Sequence, residues 1–191
     1  FDVSEDKLKW FVDESIATSK TLNAPYITWP WVHPDHRNPE SFKVLADKLN
    51  RIGEQVKAAD LEFAYHNHGY EFENWEGTTG HEILMKTTDE DLVKLQMDMY
   101  WVIHSGKTPK DLVDQQPGRY TMWHIKDMDK VTRDYSELGN GSIDYTQILP
   151  DPEKSGLKYY YIEQGGNFAI NSMESVATSA RFFKKNLQHL I

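Results

Sequence analysis

Apolar residues at helical spacing predict that the chain opens with a helix. They fall on one face of residues 4–23, at Leu8, Phe11, Val12 and Ile16. Ser4 is placed to cap this helix, and Val3 is placed to contact Leu8 across the first turn. The pattern therefore indicates a capped amphipathic helix with one buried face.

Segments rich in β-branched and aromatic residues predict strands between further helices. The first is 25–31, PYITWPW, which contains prolines at both ends and which we expect to form a buried strand. Asn38 then caps a second helix, with Pro39 at its first position. The remaining strand candidates are 61–68, 93–99, 119–126 and 158–163, and further helices are predicted at 80–86, 108–115, 142–149 and 172–190. Strands that alternate with helices indicate parallel βαβ units, wound into an open sheet or closed into a barrel.

Polar side chains collect at the carboxyl ends of these strand candidates. Alternate residues of a strand point to opposite faces, so His66 and His68 share the face opposite to Phe63 and Tyr65. The same alternation separates four polar residues of the later strands from their apolar neighbours: Asp98, His124, Lys126 and Glu163. A barrel gathers polar side chains at this end, whereas an open sheet covered by helices requires nearly continuous apolar strands. The pattern therefore favours a barrel whose active site lies at the carboxyl ends of its strands.

Composition excludes several classes of function. With 191 residues, of which 39% are hydrophobic and 27% charged, the chain is predicted to form one globular domain over 1–191. The net charge of −9, without any run of Lys or Arg, argues against a nucleic-acid partner, and no apolar run is long enough to predict a membrane span. The absence of cysteine excludes thiolate ligands. A chain without cysteine is compatible with both the cytoplasm and the periplasm. The location therefore stays open, and we favour the cytoplasm.

The polar residues at the strand ends have the chemistry of a metal site. Carboxylate and imidazole ligands without sulfur suit one divalent ion, such as Mn²⁺, Mg²⁺, Co²⁺ or Zn²⁺. An ion that polarises a carbonyl oxygen, together with a carboxylate base near the adjacent carbon, can move a proton through an enediolate.

Five short motifs occur in order along the chain. They are AYHNHGYEF at 64–72, MDMYW at 97–101, GRYTMWHIKD at 118–127, LGNGSID at 138–144 and YIEQ at 161–164. Together they resemble the sugar phosphate isomerase/epimerase family of xylose-isomerase-like barrels. The resemblance implies an α/β fold, the (βα)₈ TIM barrel, with one divalent metal held by Glu71, Asp98, His124 and Glu163. It also implies that Glu71 and Glu163 are the catalytic acid/base pair.

Alternatives stay open for the first of these ligands. Glu71 lies past the end of its predicted strand. The alternatives for its place are Glu73, His66 and His68. The related ketose epimerases have a histidine three residues after the metal-binding Asp, where this chain has Trp101, so their substrate contacts do not carry over. The candidate substrate-binding residues are His66, His68, Trp101 and Lys126.

The resemblance leads to one main interpretation of function and three alternatives. The main one is a divalent-metal-dependent isomerase or epimerase of a sugar or sugar phosphate, in which two glutamates transfer a proton. The first alternative is a metal-dependent lyase or hydratase acting on 3-keto-sugars or 3-keto-glycosides, because the HNH, EF and DxYW motifs also resemble that branch. The second is a non-catalytic sugar-binding barrel. The third, a repair endonuclease for abasic DNA, is disfavoured by the net charge of −9.

The motifs cover only the C-terminal five βα units of a barrel that has about eight. Five strands at barrel tilt do not close, and open sheet edges promote association. We therefore expect N-terminal units that are missing here, or a further chain, to complete the barrel. A homo-oligomer is the other assembly that this reasoning predicts.

Overall fold

Helices and strands alternate along the chain, as the periodicity predicts. A computed structural model describes residues 5–191, and their contacts divide them into two units, the first ending at Gln96 and the second beginning at Met97. The predicted capping residue Ser4 and its neighbour Val3 lie outside the described residues. The expectation of a single domain over the whole chain stays a prediction.

The first unit begins with α1 and ends within β5. Its elements are α1 (Glu5–Leu22), β1 (Tyr26–Trp29), a 3₁₀ turn (Pro34–His36), α2 (Pro39–Ala58), β2 (Glu62–His66), a second 3₁₀ turn (Tyr70–Phe72), β3 (Asn74–Trp75), β4 (Thr78–Thr79), α3 (Gly80–Thr87) and β5 (Lys94–Asp98). β2 pairs in parallel with both β1 and β5, whereas β3 and β4 form a short antiparallel hairpin. The helices between the parallel strands make this unit a βαβ arrangement.

Sequence signals set the beginning and the buried face of α2. The side chain of Asn38 accepts a hydrogen bond from the backbone N–H of Ser41, and Pro39 occupies the first turn. A cap of this kind contributes about 1 kcal/mol to helix stability. The buried face consists of Phe42, Leu45, Ala46, Leu49, Ile52, Gly53 and Val56. Through these residues α2 packs against β2 and α3.

The first strand is less buried than the sequence predicts. All residues of β1 are half-buried, so the prediction of a buried strand is wrong. β1 pairs with β2 from Tyr26 opposite Glu62 to Trp29 opposite Tyr65. The sheet order β1-β2-β5-β6-β9 places β1 at an edge. A strand at an edge has a neighbour on one side only, and it therefore remains more accessible to solvent.

The second unit continues from the end of β5. Its elements are α4 (Met99–His104), α5 (Pro109–Gln115), β6 (Met122–Ile125), β7 (Asp127–Met128), β8 (Tyr135–Ser136), α6 (Tyr145–Ile148), α7 (Pro152–Ser155), β9 (Tyr159–Ile162), α8 (Ser172–Asn186) and a final 3₁₀ turn (Gln188–Leu190). β7 and β8 form an antiparallel hairpin, and β6 and β9 pair in parallel. Within residues 5–191, no helix is both long enough and apolar enough to span a lipid bilayer.

The side chains of β9 alternate between two environments, as predicted. The ring of Tyr160 lies 5.0 Å from that of Phe183 on α8. The ring of Tyr161 lies 5.2 Å from that of His124, its register partner on β6. Neighbouring residues of one strand thus face a helix and a polar strand end, respectively. This alternation brings polar residues of β6 and β9 to the same face.

The helix predicted at 142–149 is shorter in the structure. α6 covers only Tyr145–Ile148. The preceding segment turns around the carboxylate of Asp127, which accepts hydrogen bonds from the backbone N–H groups of Met128, Gly139, Gly141 and Ile143. The backbone N–H groups of this segment are bound to Asp127, and the helix begins after Asp144, whose side chain accepts a hydrogen bond from the Thr146 N–H.

A buried glutamate joins α8 to the loops before it. Glu137 is 6% exposed, and its carboxylate accepts hydrogen bonds from the Ser175 hydroxyl and the Ala169 backbone N–H. The bond from Ser175, and then that from Ala169, lower the pKa of Glu137 from 4.5 to about 2. The ionised form is therefore favoured in the folded protein.

We expect this carboxylate to make the protein less stable in acid. Because the folded-state pKa lies below the unfolded value, the stabilisation is present above pH 4.5 and disappears as the pH falls toward about 2. The Glu137→Gln variant should lack this contribution, which is on the order of 3 kcal/mol. Urea denaturation across the acid range measures it, and Glu54→Gln, an exposed carboxyl on α2, is the matched control. The same dependence of the free energy of unfolding on pH in Glu137→Gln and Glu54→Gln would contradict this prediction.

Candidate metal and substrate site

Lys126 lies between two carboxylates in the second unit. Its ammonium Nζ is 2.7 Å from Asp98 Oδ2 and 2.7 Å from Glu163 Oε2. The side chains of Asp98 and Lys126 are 0% and 7% exposed, whereas that of Glu163 is 44% exposed. Asp98 ends β5, Lys126 follows β6 and Glu163 follows β9. The carboxyl ends of these strands therefore supply two anions that share one cation.

His124 joins this group through Glu163. Its Nδ1 is 2.6 Å from Glu163 Oε2, the same oxygen that contacts Lys126. His124 lies in β6, and its ring is half-buried beside Tyr161 of β9. Three of the four ligands that the family resemblance implies, Asp98, His124 and Glu163, thus belong to one charged network with Lys126.

Tyr145 holds the backbone of Lys126 in place. The Tyr145 hydroxyl donates a hydrogen bond to the Lys126 carbonyl at 2.6 Å and accepts one from the Lys126 N–H at 3.1 Å. Tyr145 is 2% exposed, so water does not compete for these bonds. The hydroxyl therefore fixes the residue from which the ammonium extends.

Asp127, the next residue, organises the loop beside the network. It is 1% exposed, and the segment Leu138–Asp144 wraps around its carboxylate. A Cβ atom at Gly141 would lie 2.1 Å from Asp127 Oδ1, so only glycine fits there. The LGNGSID motif thus has a structural reason for its glycine at 141.

The network shifts the pKa values of its members in different directions. The hydrogen bond from His124, followed by that from Lys126, lowers the pKa of Glu163 to about 2. Burial raises the pKa of Asp98, against the opposing charge of Lys126. Burial alone would lower the pKa of Lys126, but the carboxylates of Asp98 and Glu163 outweigh it, and the pKa is raised. At neutral pH, Glu163 is therefore ionised and Lys126 is charged.

In the first unit, Glu71 is buried in the 3₁₀ turn that follows β2. Its Oε1 accepts a hydrogen bond from the Tyr65 hydroxyl at 2.6 Å, and its Oε2 accepts one from the His68 backbone N–H at 2.8 Å. Glu71 is 0% exposed. Glu73, an alternative for its role, is exposed to solvent. Of these two glutamates, Glu71 is the one in a protected environment.

Burial gives Glu71 an unusual proton affinity. It raises the pKa of Glu71 from 4.5 to about 7, although the bonds from Tyr65 and the backbone, and the charge of Arg37, act in the opposite direction. A carboxyl group with a pKa near neutral pH can both donate and accept a proton under ordinary conditions. Glu71 therefore differs sharply from Glu163, which holds its charge far into acid.

The two predicted substrate-binding histidines of this unit lie next to each other. β2 ends at His66, which is buried, and His68 lies beyond the strand and is half-buried. Their rings meet edge to face with centroids 4.9 Å apart. His68 also stacks on Tyr70, and its Nδ1 is 3.3 Å from the Tyr70 hydroxyl. Strand alternation does not extend to His68, because the chain turns after His66.

Trp101, the predicted substrate-binding residue of the second unit, belongs to an aromatic group. Its backbone N–H donates to Asp98 Oδ1 at 3.3 Å, which places it in the first turn of α4. The ring contacts those of Tyr100, His104 and Tyr135. The Tyr135 ring centroid in turn lies 5.9 Å from Lys126 Nζ. Aromatic faces beside a hydrogen-bonding ammonium are suited to the mixed polar and apolar surface of a sugar.

The donor atoms of the second unit fit a divalent cation. Asp98 and Glu163 already hold a cation between them, the Lys126 ammonium, which shows that this position favours positive charge. Carboxylate oxygens and an imidazole nitrogen, without sulfur, are ligands of Mn²⁺, Mg²⁺, Co²⁺ and Zn²⁺. The residues present therefore fit the metal that the family resemblance implies, and the identity of the ion stays open.

The family of the chain follows from its match to a family model, with which the strand order and the motifs agree. The model of the xylose isomerase-like TIM barrel matches residues 4–185. The chain belongs to this family. The family predicted from the motifs is therefore confirmed, as is the α/β fold with its parallel five-stranded sheet.

Among curated proteins, the chain is similar to an inosose dehydratase of Clostridium perfringens. The two are 29% identical over 178 residues, which cover 80% of this chain and 57% of the relative. The chain thus spans little more than half the length of the curated relative that it matches.

Two solved structures have the same fold. A sugar phosphate isomerase/epimerase from Parabacteroides distasonis has a TM-score of 0.79 at 22% identity, covering 98% of this chain and 69% of that one. An IolI protein with a bound zinc atom has a TM-score of 0.72 at 16% identity, covering 100% of this chain and 73% of that one. Identities this low support a common fold and no finer statement.

Sequence reasoning missed three residues that shape the site. Tyr65 was assigned to the apolar face of its strand, yet its hydroxyl bonds to Glu71. The roles of Asp127 and Tyr145 were not predicted, although Asp127 ends the GRYTMWHIKD motif and Tyr145 directly follows LGNGSID. No local signal indicates the role of Asp127, because Gly139 and Gly141, whose backbone N–H groups it binds, are 12 and 14 residues further along the chain. No spacing in the sequence indicates the contact of Tyr145 with Lys126.

Proposed function

We propose that this chain carries the metal-binding and proton-transfer residues of a dehydratase that acts on a polyhydroxylated ketone, an inosose or a related keto-sugar. The observation that carries the proposal is the contrast between two glutamates, because the pKa of Glu163 is about 2 and that of Glu71 about 7. Carboxyl groups whose environments separate their pKa values in this way can divide the roles of base and acid. The similarity to an inosose dehydratase favours the lyase alternative over the isomerase interpretation.

In this proposal, Asp98, His124 and Glu163 would hold a divalent ion together with a fourth ligand. The resemblance implies Glu71 as the fourth, and His66 is the alternative that we favour. His66 ends β2 and, like Asp98 and His124, offers one ligand atom. β2, β5 and β6 are consecutive in the sheet order, and parallel strands direct their carboxyl ends to one edge.

Two properties of Glu71 favour His66 as the ligand and Glu71 as the acid. Both oxygens of Glu71 already accept hydrogen bonds, from Tyr65 and from the His68 backbone. Its pKa of about 7 also means that a proton competes with any metal ion near neutral pH. An imidazole nitrogen of His66 can supply the ligand atom instead.

The reaction is an elimination of water across two neighbouring carbons. A bound divalent ion would polarise the ketone oxygen and stabilise the negative charge that develops there. Glu163 takes the proton from the carbon next to the ketone, and the electron pair of that C–H bond forms the new C=C bond. The C–O bond on the following carbon breaks, and Glu71 supplies the proton with which the hydroxyl leaves as water. Lys126 and the imidazole of His68 are donors for the remaining substrate oxygens.

Product analysis tests this proposal. The purified protein is loaded with Mn²⁺, Mg²⁺, Co²⁺ or Zn²⁺ in turn and incubated with inosose. We expect the substrate mass to fall by one water and an unsaturated carbonyl absorption to appear, and we expect a chelator to abolish both. Exchange of the proton next to the ketone for deuterium, without loss of water, would instead support an isomerase or epimerase. No exchange and no product with any of the ions would contradict both enzymatic functions.

How the barrel is completed beyond these five strands also stays a proposal. The implied ligands Asp98, His124 and Glu163 lie in or directly after strands of the five-stranded sheet, and Glu71 lies in the turn that follows β2. Completion by further βα units or a further chain, and a homo-oligomer, remain predictions of the sequence analysis.

A further inference from the structure

Arg37 lies in the loop after β1, with its guanidinium over an aromatic ring. Its guanidinium carbon is 3.7 Å from the centroid of the Tyr70 ring and 5.5 Å from that of Trp31. Its Nε donates a hydrogen bond to the Val32 carbonyl at 3.0 Å. Stacking and this single bond fix the plane and direction of the guanidinium.

The loop that carries Arg37 is itself anchored to the turn that contains Glu71. The Tyr70 hydroxyl accepts a hydrogen bond from the Val32 backbone N–H at 2.9 Å. Val32 is 0% exposed and Tyr70 is 7% exposed, so both ends of this link are buried. Arg37 is therefore pre-organised by a rigid support, although its own side chain is only half-buried.

The terminal nitrogens of Arg37 differ from those of the other arginines. Each of the others donates a hydrogen bond through a terminal nitrogen to a protein oxygen: Arg51 to Glu5, Arg119 to Gln116, Arg133 to the His104 carbonyl and Arg181 to Thr178. Within residues 5–191, Arg37 donates only through Nε, and no carboxylate forms an ion pair with it. In a chain with 30 acidic and 21 basic residues, an arginine held in place without an acidic partner calls for an explanation.

Arg37 lies close to Glu71, a residue of the proposed active site. Tyr70, on which it stacks, is adjacent to Glu71 in the same turn. The positive charge of Arg37 is also close enough to lower the pKa of Glu71 against the effect of burial. A ligand group bound by Arg37 would therefore lie close to Glu71.

We propose that Arg37 is an oxyanion-recognition residue, whose two terminal nitrogens bind a phosphate or carboxylate group of the substrate. A guanidinium presents paired N–H donors in the geometry that such anions accept. Stacking on Tyr70 leaves that edge available and removes much of the entropy cost of ordering the side chain. The inference deepens the proposed function, on which it rests for the reacting ketone, by assigning an anionic group to the substrate.

Anion binding tests the assignment without any turnover. Inorganic phosphate and acetate are titrated separately into the protein by calorimetry or by ³¹P and ¹³C line broadening. We expect Arg37→Gln to weaken binding of the preferred anion by about tenfold or more, and Arg37→Lys to weaken it less, because the charge remains and the paired donors are lost. Arg51→Gln is the matched control, since it removes an exposed charge of the same unit, and it should bind as the wild type does. The anion that binds more tightly identifies the class of group.

Equal binding by the wild type, Arg37→Gln and Arg51→Gln would overturn the assignment. So would the absence of measurable binding of either anion at about 10 mM. Circular dichroism confirms that each variant is folded.

A kinetic comparison then links the subsite to the reaction. For a polyhydroxylated ketone that bears the preferred anionic group, Arg37→Gln should raise KM about tenfold with kcat nearly unchanged, whereas neutral inosose should show no such rise. An equal effect on charged and neutral ketones would overturn the assignment. If no ketone reacts with the wild type, the proposed function fails, but the anion titration still decides whether Arg37 binds an oxyanion.

Discussion

Glu163→Gln is expected to lower kcat for water elimination by about 10³-fold, within the range found for removal of a general base. Glutamine has nearly the shape of glutamate but cannot take a proton from carbon at neutral pH. The substituted side chain is 44% exposed, so the fold should tolerate the change. The measurement is kcat for inosose at saturating substrate and divalent ion.

The control for this variant is Glu153→Gln, which alters an exposed glutamate of α7 and should keep the wild-type rate. Calorimetric titration with Mn²⁺ separates two causes of inactivity, because loss of a ligand lowers metal affinity, whereas loss of the base alone leaves it intact. A Glu163→Gln variant with the wild-type kcat would show that another group removes the proton.

Lys126→Met is expected to lower the free energy of unfolding of the metal-free protein by about 3–5 kcal/mol. The substitution keeps the length of the side chain and removes the ammonium that offsets the charge of Asp98. The Asp98 side chain is 0% exposed, so water cannot replace the lost interaction without opening the structure. Denaturation by urea in the presence of a chelator measures the change.

A matched control is available on the surface of the same unit. Lys154 pairs with Asp114 at 2.7 Å, but the two side chains are 46% and 61% exposed. Lys154→Met should therefore lower the free energy of unfolding by at most about 1 kcal/mol.

The same position should respond to a divalent ion. We expect Mn²⁺ to stabilise Lys126→Met more than the wild type, because in the variant the ion no longer competes with the ammonium. Equal losses for the two lysine variants, or no additional stabilisation by Mn²⁺, would contradict the view that Lys126 occupies a cation site.

The regular elements could be predicted because their signals are local. The periodic apolar residues of α2, its cap at Asn38 and its proline act over one or two helical turns. The motifs likewise carry family membership in short runs of sequence, and the match over residues 4–185 confirms it. The burial of β1 was predicted wrongly because it depends on the number of neighbouring strands, which no local pattern contains.

The candidate site was predicted in part. Strand alternation placed Asp98, His124 and Glu163 at the carboxyl ends of successive strands. In the structure, Lys126 joins Asp98 to Glu163, and Glu163 in turn contacts His124. Lys126 was predicted to bind substrate, and that role stays a prediction, because in the structure its ammonium contacts the two carboxylates. The loop around Asp127 shortened a helix that the pattern alone had predicted over 142–149.

By itself, the sequence determined the order of helices and strands, the family, and the set of polar residues at the strand ends. Tertiary structure decided which of those residues are buried and which partners they meet, and hence that Glu71 has a pKa of about 7 while Glu163 has one of about 2. The physical reason is the separation along the chain over which each effect acts. Helix caps and strand alternation involve near neighbours in sequence, whereas a pKa depends on burial and on charges from distant parts of the chain. His124 and Glu163 are 39 residues apart, and only folding brings them within 2.6 Å.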